Sequence, residues 1–181
     1  MITRTEACGL LRERGFSSSL IIHALASEAV LAAMANRLGE NAELWGLTGL
    51  LHDLDYPETM ESPEQHGIVT ATLLTGKLPE EAVEAIKRHN SQHNGCAPET
   101  RFDYALRCGE TVTGLIHAAS LMRPTGYEGM QVKSIKKKMK DKAFAASVNR
   151  EIIRECEKIG LTLDEFLELA IDAMSKMPDQ L

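Results

Sequence analysis

Apolar residues recur three and four positions apart along most of the chain, between recognisable helix caps and stops and with few β-branched runs. This pattern predicts an all-α fold. Ser17, Ser18 or Ser19 can cap a helix whose apolar positions Leu20, Ile21, Leu25, Val30, Leu31 and Met34 run to Leu38, with Gly39 as a natural stop. Asn41 can open a second, carrying Leu44, Trp45, Leu47, Leu50, Leu51 and Leu54, which Pro57 keeps from extending much further. Ser62, Pro63 and Gln65 form a start signal of capping serine, proline at the first helical position and a glutamine placed for a capping box, and Gly76 closes that helix. Pro79, Glu80 and Glu81 begin the next, with its exit at Asn90 to Gly95, and a long helical pattern from about Thr100 to Met122 ends at Arg123 and Pro124. Past Gly126 and Gly129, a basic segment from Val132 to Lys142 leads to Asn149, a capping candidate for a helix ending near Gly160. Thr162 and Glu165 make a capping box for a last helix to about Met177, whose apolar face of Leu163, Phe166, Leu167, Leu169, Ala170 and Met174 belongs in a core.

The 181 residues suffice for one core, and no stretch reads as a flexible connection between two, so residues 1–181 are expected to form a single domain. Its core would span about 17–123, followed by a helical extension over about 130–178. The net charge of -6 argues against stable binding of a nucleic-acid backbone as the main task. Met1 to Gly15 lacks the apolar stretch and cleavage site of an export signal, and no run of about 18 apolar residues suggests a membrane span. Cys8, Cys96, Cys108 and Cys156 are too far apart for a zinc-finger pair or a redox CxxC and read as reduced thiols of a cytoplasmic protein.

Candidate chemistry lies in His23, the adjacent pair His52 and Asp53, His66, His89 and Glu110, each on or beside a different expected helix. A helical bundle can aim all of them at one point. Imidazole nitrogen with carboxylate oxygen suits one or two divalent transition ions, Mn, Fe, Zn, Co or Ni, and Asp53 has two oxygens with which to bridge a pair. Any one of these histidines alone would read as an ordinary core or surface residue; the ordered set carries the argument. His93 reads as a loop residue, and His117, seven residues beyond Glu110, as a packing residue. The lysines of the basic segment read first as a solvated helix face, with phosphate holding by Arg123, Lys137 and Arg150 as the functional alternative.

The order His23, His52-Asp53, His66, His89 and a late acid, with the phrase Gly49-Leu50-Leu51-His52-Asp53-Leu54-Asp55-Tyr56, resembles the HD superfamily of metal-dependent phosphohydrolases. It is similar more narrowly to the small stand-alone prokaryotic predicted hydrolases of that superfamily, through Thr113-Gly114-Leu115, Arg123-Pro124, the lysine segment, Phe144-Ala145-Ala146 and Val148-Asn149-Arg150. The resemblance implies an HD-domain helical bundle in which His23, His52, Asp53 and Glu110 hold one ion while Asp53, His66 and His89 hold a second. The late acid of that family is normally Asp, so Glu110 is a departure that adds a methylene. The implied activity is hydrolysis of a nucleotide or other small phosphate ester by a metal-activated water, with Asp53 central and Asp55 or Glu28 as general-base candidates, each otherwise a plain surface carboxylate. A di-iron oxygenase with the same ligand order and a non-catalytic nucleotide sensor are the alternatives. The oligomeric state is left open.

Overall fold

Ser17 accepts a hydrogen bond from the Leu20 amide and starts helix α2, Ser18–Leu38, which ends where Gly39 adopts the left-handed conformation. This helix, about 30 Å long at 1.5 Å per residue, is the centre of the fold. It packs against α3 (Ala42–Leu51), α8 (Arg101–Leu121) and α11 (Leu163–Ser175), burying Leu25, Val30, Leu31 and Met34 completely. By length and composition α2 is apolar enough to cross a membrane, a property it owes here to being surrounded by other helices.

The computed structural model describes residues 1–178 and 180–181, and among these the only strand-like feature is an isolated bridge between Thr75 and Leu78. The fold is all-α. The remaining elements are α1 (Arg4–Glu13), α4 (Tyr56–Thr59), α5 (Ile68–Leu74), α6 (Glu80–His89), α7 (Ser91–Asn94), α9 (Val132–Lys140), α10 (Arg150–Arg154) and a 3-10 segment, Glu155–Ile159. Thr100 with Asp103 and Thr162 with Glu165 close capping boxes at the starts of α8 and α11. Phe166, Leu167, Ala170 and Met174 of α11 are buried, and α9, α11 and the 3-10 segment all pack on α8, so the C-terminal elements join the same core as α2. Trp45 of α3 stacks on Phe102 of α8 with ring centroids 4.8 Å apart.

The structure adds to or departs from the sequence reading at four places. Residues 4–13, unassigned from the sequence, form α1, closed by a Thr3–Glu6 capping box. Pro57 sits inside the first turn of the short helix α4, where its missing N–H costs nothing. Ser62, Pro63 and Gln65 do not cap a helix: residues 62–67 are turns, and α5 begins only after Gly67, at φ +85°. His93 lies in the single-turn helix α7, its Nδ1 2.8 Å from Asn90 Oδ1.

Candidate metal centre

Five elements each present one part of the centre: α2 carries His23 in its second turn, α3 ends on His52 with Asp53 following, the 62–67 turn holds His66, α6 ends on His89, and α8 carries Glu110. Two close approaches bring them together. A Cβ at Gly49 would lie 2.6 Å from the Ser27 carbonyl oxygen, so glycine there lets α3 lie directly against α2 one turn before His52. A Cβ at Gly67 would lie 2.9 Å from Ile86 O and 3.1 Å from the His89 ring, so the His66 turn reaches α6 only because residue 67 has none.

The Nε2 atoms of all four histidines face Asp53. On one side, His23 Nε2 and His52 Nε2 are 3.2 Å apart and lie 3.5 Å and 3.1 Å from the two oxygens of Asp53. On the other, His66 Nε2 and His89 Nε2 are 3.1 Å apart and lie 3.2 Å and 3.5 Å from Asp53 Oδ1. Donors bound at about 2.0–2.2 Å to one ion, at right or tetrahedral angles, are separated by about 2.8–3.6 Å. The two groups, His23–His52–Asp53 and Asp53–His66–His89, therefore have the spacing of two ion sites sharing a carboxylate.

The other ring nitrogens explain why Nε2 is free to face inward. His52 Nδ1 lies 2.8 Å from Gly49 O and His89 Nδ1 2.6 Å from Ile86 O, each donating to a carbonyl of its own helix. His66 Nδ1 donates to Asp55 Oδ1 at 2.7 Å. His23 Nδ1 lies 2.9 Å from the Thr113 hydroxyl, which spends its own proton on Glu110 O and so accepts from the imidazole. Each Nδ1 is thus committed as a donor, which leaves Nε2 as the nitrogen that faces Asp53: it donates to the carboxylate when it carries a proton and offers a lone pair to an ion when it does not.

A comparison with protein-family models matches the HD domain over residues 20–159. The chain belongs to the HD domain family. No curated protein and no solved structure matches it. HD domains bind divalent metals and are typically metal-dependent hydrolases, and the paired His/Asp groups are a donor set that fits such ions.

In this HD domain the electrostatics are those of a site built for cations. Burial pushes His52 down to about 3, so it stays neutral and able to accept an ion. Burial works against ionisation of Asp53 too, yet the imidazoles that surround it, His66 and His89 donating among them, hold it well below the usual carboxylate range. For His66 burial is likewise opposed and outweighed, by hydrogen bonds to Asp53 and Asp55, which raise it to about 10. Glu110, pushed up to about 8 mainly by burial, has Oε2 3.9 Å from His23 Nε2 and Oε1 accepting from Thr111. It borders the first group without entering the compact donor set, consistent with the extra methylene carrying its carboxylate towards Thr111.

The centre opens into a cavity of about 470 Å³ whose far wall comes from the C-terminal elements, at Ser147, Val148, Asn149 and Ile152. Arg150 fastens that wall: its guanidinium donates to the carbonyls of Asp141, Phe144, Ala145 and Val148, around a tight turn in which Ala145 takes φ +44°. It therefore does not point at the centre. Arg123 is equally occupied, donating to Gly126 O, Thr125 Oγ1 and Glu128 O within its own loop, and Lys137 lines a separate groove with Lys133, Lys136 and Lys140. The structure brings none of these three cations to the cavity lining. Glu28 is held by Arg4 at 2.6 and 2.9 Å, and His117 pairs with the Tyr127 hydroxyl at 2.7 Å.

Two supporting residues were not legible from the sequence as such. Asp55, expected at the surface, is fully buried; besides His66 it accepts from the amides of Gly67 and Thr70, both at 2.9 Å, and so caps α5 from a distance. Arg107, also buried, pairs in a bidentate fashion with Glu155 and donates to His89 O at 2.8 Å and Ser91 Oγ at 2.6 Å, anchoring the end of α6 that carries His89. The Asp three residues past His52 was a visible signal for the first. Nothing local marks the second.

Proposed function

We propose that this HD domain is a metal-dependent phosphohydrolase that splits a small phosphate ester with water. The observation that supports the reading best is the carboxylate of Asp53 shared between two histidine pairs at the floor of a cavity of small-molecule size. A divalent ion held there supplies Lewis-acid chemistry, lowering the pKa of a coordinated water and offsetting charge on phosphoryl oxygens. His23 and His52 on one side and His66 and His89 on the other would hold the ions on which the phosphoryl group docks. Asp53 would supply the carboxylate that the two histidine pairs share, and the anchored Nδ1 atoms keep every ring from rotating away when substrate enters. The phosphorus–oxygen bond to the leaving group breaks as the water oxygen attaches, giving an alcohol and inorganic phosphate. The protein supports this by orientation and charge rather than through a covalent intermediate.

Metal content of protein purified without a histidine tag, followed by phosphate release with that metal restored, tests the reading. One or two equivalents of ion, and release abolished in His52→Ala and Asp53→Ala, are expected. Two irons with oxygen consumption and no phosphate release would replace the hydrolase with an oxygenase.

A further inference from the structure

The cavity above Asp53 differs in charge from the lysine-lined groove on α9. Among the described residues, no Lys or Arg lines it, although the chain has 20 of them and several lie on the neighbouring α9. Beyond the ligand histidines and the two acids, Asp53 and Glu110, the lining is neutral. Leu20, Val148 and Ile152 form an apolar wall, and Tyr56 presents an exposed ring that packs edge-on to His66 at 5.3 Å. Asn90 is committed to the fold, donating to Pro63 O, while Asn149 accepts from Glu151 N through its oxygen and keeps its NH2 for the cavity. Gln92 and Ser147 are exposed at the rim.

From this we infer that the substrate is a phosphate monoester with a neutral, partly apolar body of nucleoside size, and that Tyr56, Gln92 and Ser147 read that body. The inference rests on the hydrolase reading above. Divalent ions held beside Asp53, the one carboxylate in the donor set, would leave a positive surplus, which the dianion of one phosphate monoester offsets. A di- or triphosphate brings further negative charge into a partly enclosed site where no side-chain cation receives it, and a desolvated unpaired charge is costly. The volume points the same way. About 470 Å³ lies in the lower part of the range of about 300–1,000 Å³ typical of small-molecule sites, enough for one nucleoside-sized body. Tyr56 offers a ring face to a base or sugar, while the Gln92 amide and the Ser147 hydroxyl can donate or accept, which suits hydroxyls and ring heteroatoms rather than further anions.

The test compares a nucleoside monophosphate with its di- and triphosphate and a cyclic nucleotide, with metal in excess of nucleotide. It reads both phosphate release and calorimetric binding of hydrolysis-resistant phosphonate analogues of the mono- and triphosphate. The monophosphate is expected to exceed the triphosphate by at least about tenfold in kcat/KM and in affinity, the scale of one missing charge contact. Ser147→Lys, which places a cation at the rim, should narrow that ratio several-fold, and Gln92→Leu should raise KM for the monoester more than it lowers kcat. Hydrolysis of the triphosphate as fast as the monophosphate would overturn the inference while leaving the hydrolase reading intact. No hydrolysis but tighter binding of the monophosphonate would overturn the hydrolase reading and uphold the recognised ligand class. Absence of both hydrolysis and binding would overturn both.

Discussion

Asp55 does two jobs with one carboxylate, and two substitutions separate them. Asp55→Ala removes the acceptor for the Gly67 and Thr70 amides and for His66 Nδ1. Two buried backbone donors left without partners cost about 1–3 kcal/mol each, so a loss of about 2–6 kcal/mol is expected, a large share of the roughly 5–15 kcal/mol that holds a domain folded. Asp55→Asn keeps the shape. Its amide oxygen can still accept from Gly67 and Thr70, which obliges its NH2 to donate to His66 Nδ1. The proton of the neutral His66 ring is then driven to Nε2, where it points at the position an ion would occupy. The fold should survive within about 1 kcal/mol, while ion affinity at the Asp53–His66–His89 group falls about 10–100-fold. Urea unfolding of the metal-free proteins measures the first quantity, and titration calorimetry with elemental analysis the second. A variant Asp55→Asn that keeps wild-type affinity and stoichiometry would refute the claim that Asp55 sets the His66 tautomer. One that unfolds as readily as Asp55→Ala would show that the negative charge, rather than the acceptor geometry, holds α5.

Three further outcomes are expected. Gly49→Ala forces a methyl to within 2.6 Å of Ser27 O, so α2 and α3 must part at the turn before His52; about 1–3 kcal/mol of stability and some ion affinity should be lost together, read by denaturation and calorimetry. Arg107→Met strands the largely buried Glu155 and frees the end of α6, costing about 3–5 kcal/mol in urea unfolding, and adding Glu155→Gln should recover part of it. Asp103 is held below the ordinary carboxylate value of 3.8: burial raises it, but amides of Glu99 and Thr100, the Thr100 hydroxyl and Arg88 outweigh that. Its contribution to stability is therefore complete above the ordinary value and fades as pH falls through its depressed folded-state value, so Asp103→Asn should flatten the acid limb of stability against pH in metal-free protein.

The long helices were legible because their ends carry their own chemistry: Ser17 and Gly39 bound α2, Thr100 and Asp103 start α8, and Thr162 with Glu165 starts α11. The same rule read further would have found α1, since Thr3 and Glu6 make an identical box. It failed at Ser62 because tertiary structure outbid the local cap: Asp55 satisfies the amides at the start of α5, leaving the preceding residues free to turn and bring His66 to Asp53. The candidate histidines were legible as an ordered set, and the structure gathers His23, His52, Asp53, His66 and His89 as two groups, with Glu110 at their edge. The destinations of Arg123 and Arg150 were not, because a guanidinium goes to whichever carbonyls its loop leaves unpaired, and that depends on turns such as the one at Ala145.

The anchored Nδ1 atoms have a consequence for how the protein meets its metal. In a zinc finger the ligands find one another only when the ion arrives, so binding and folding are one event and the ion is effectively permanent. Here the four rings are oriented by Gly49, Asp55, Ile86 and Thr113, and the apolar core closes without an ion's help. The fold is therefore expected to persist with the site empty, so that adding a chelator should leave the unfolding transition in place, unlike that of a zinc finger.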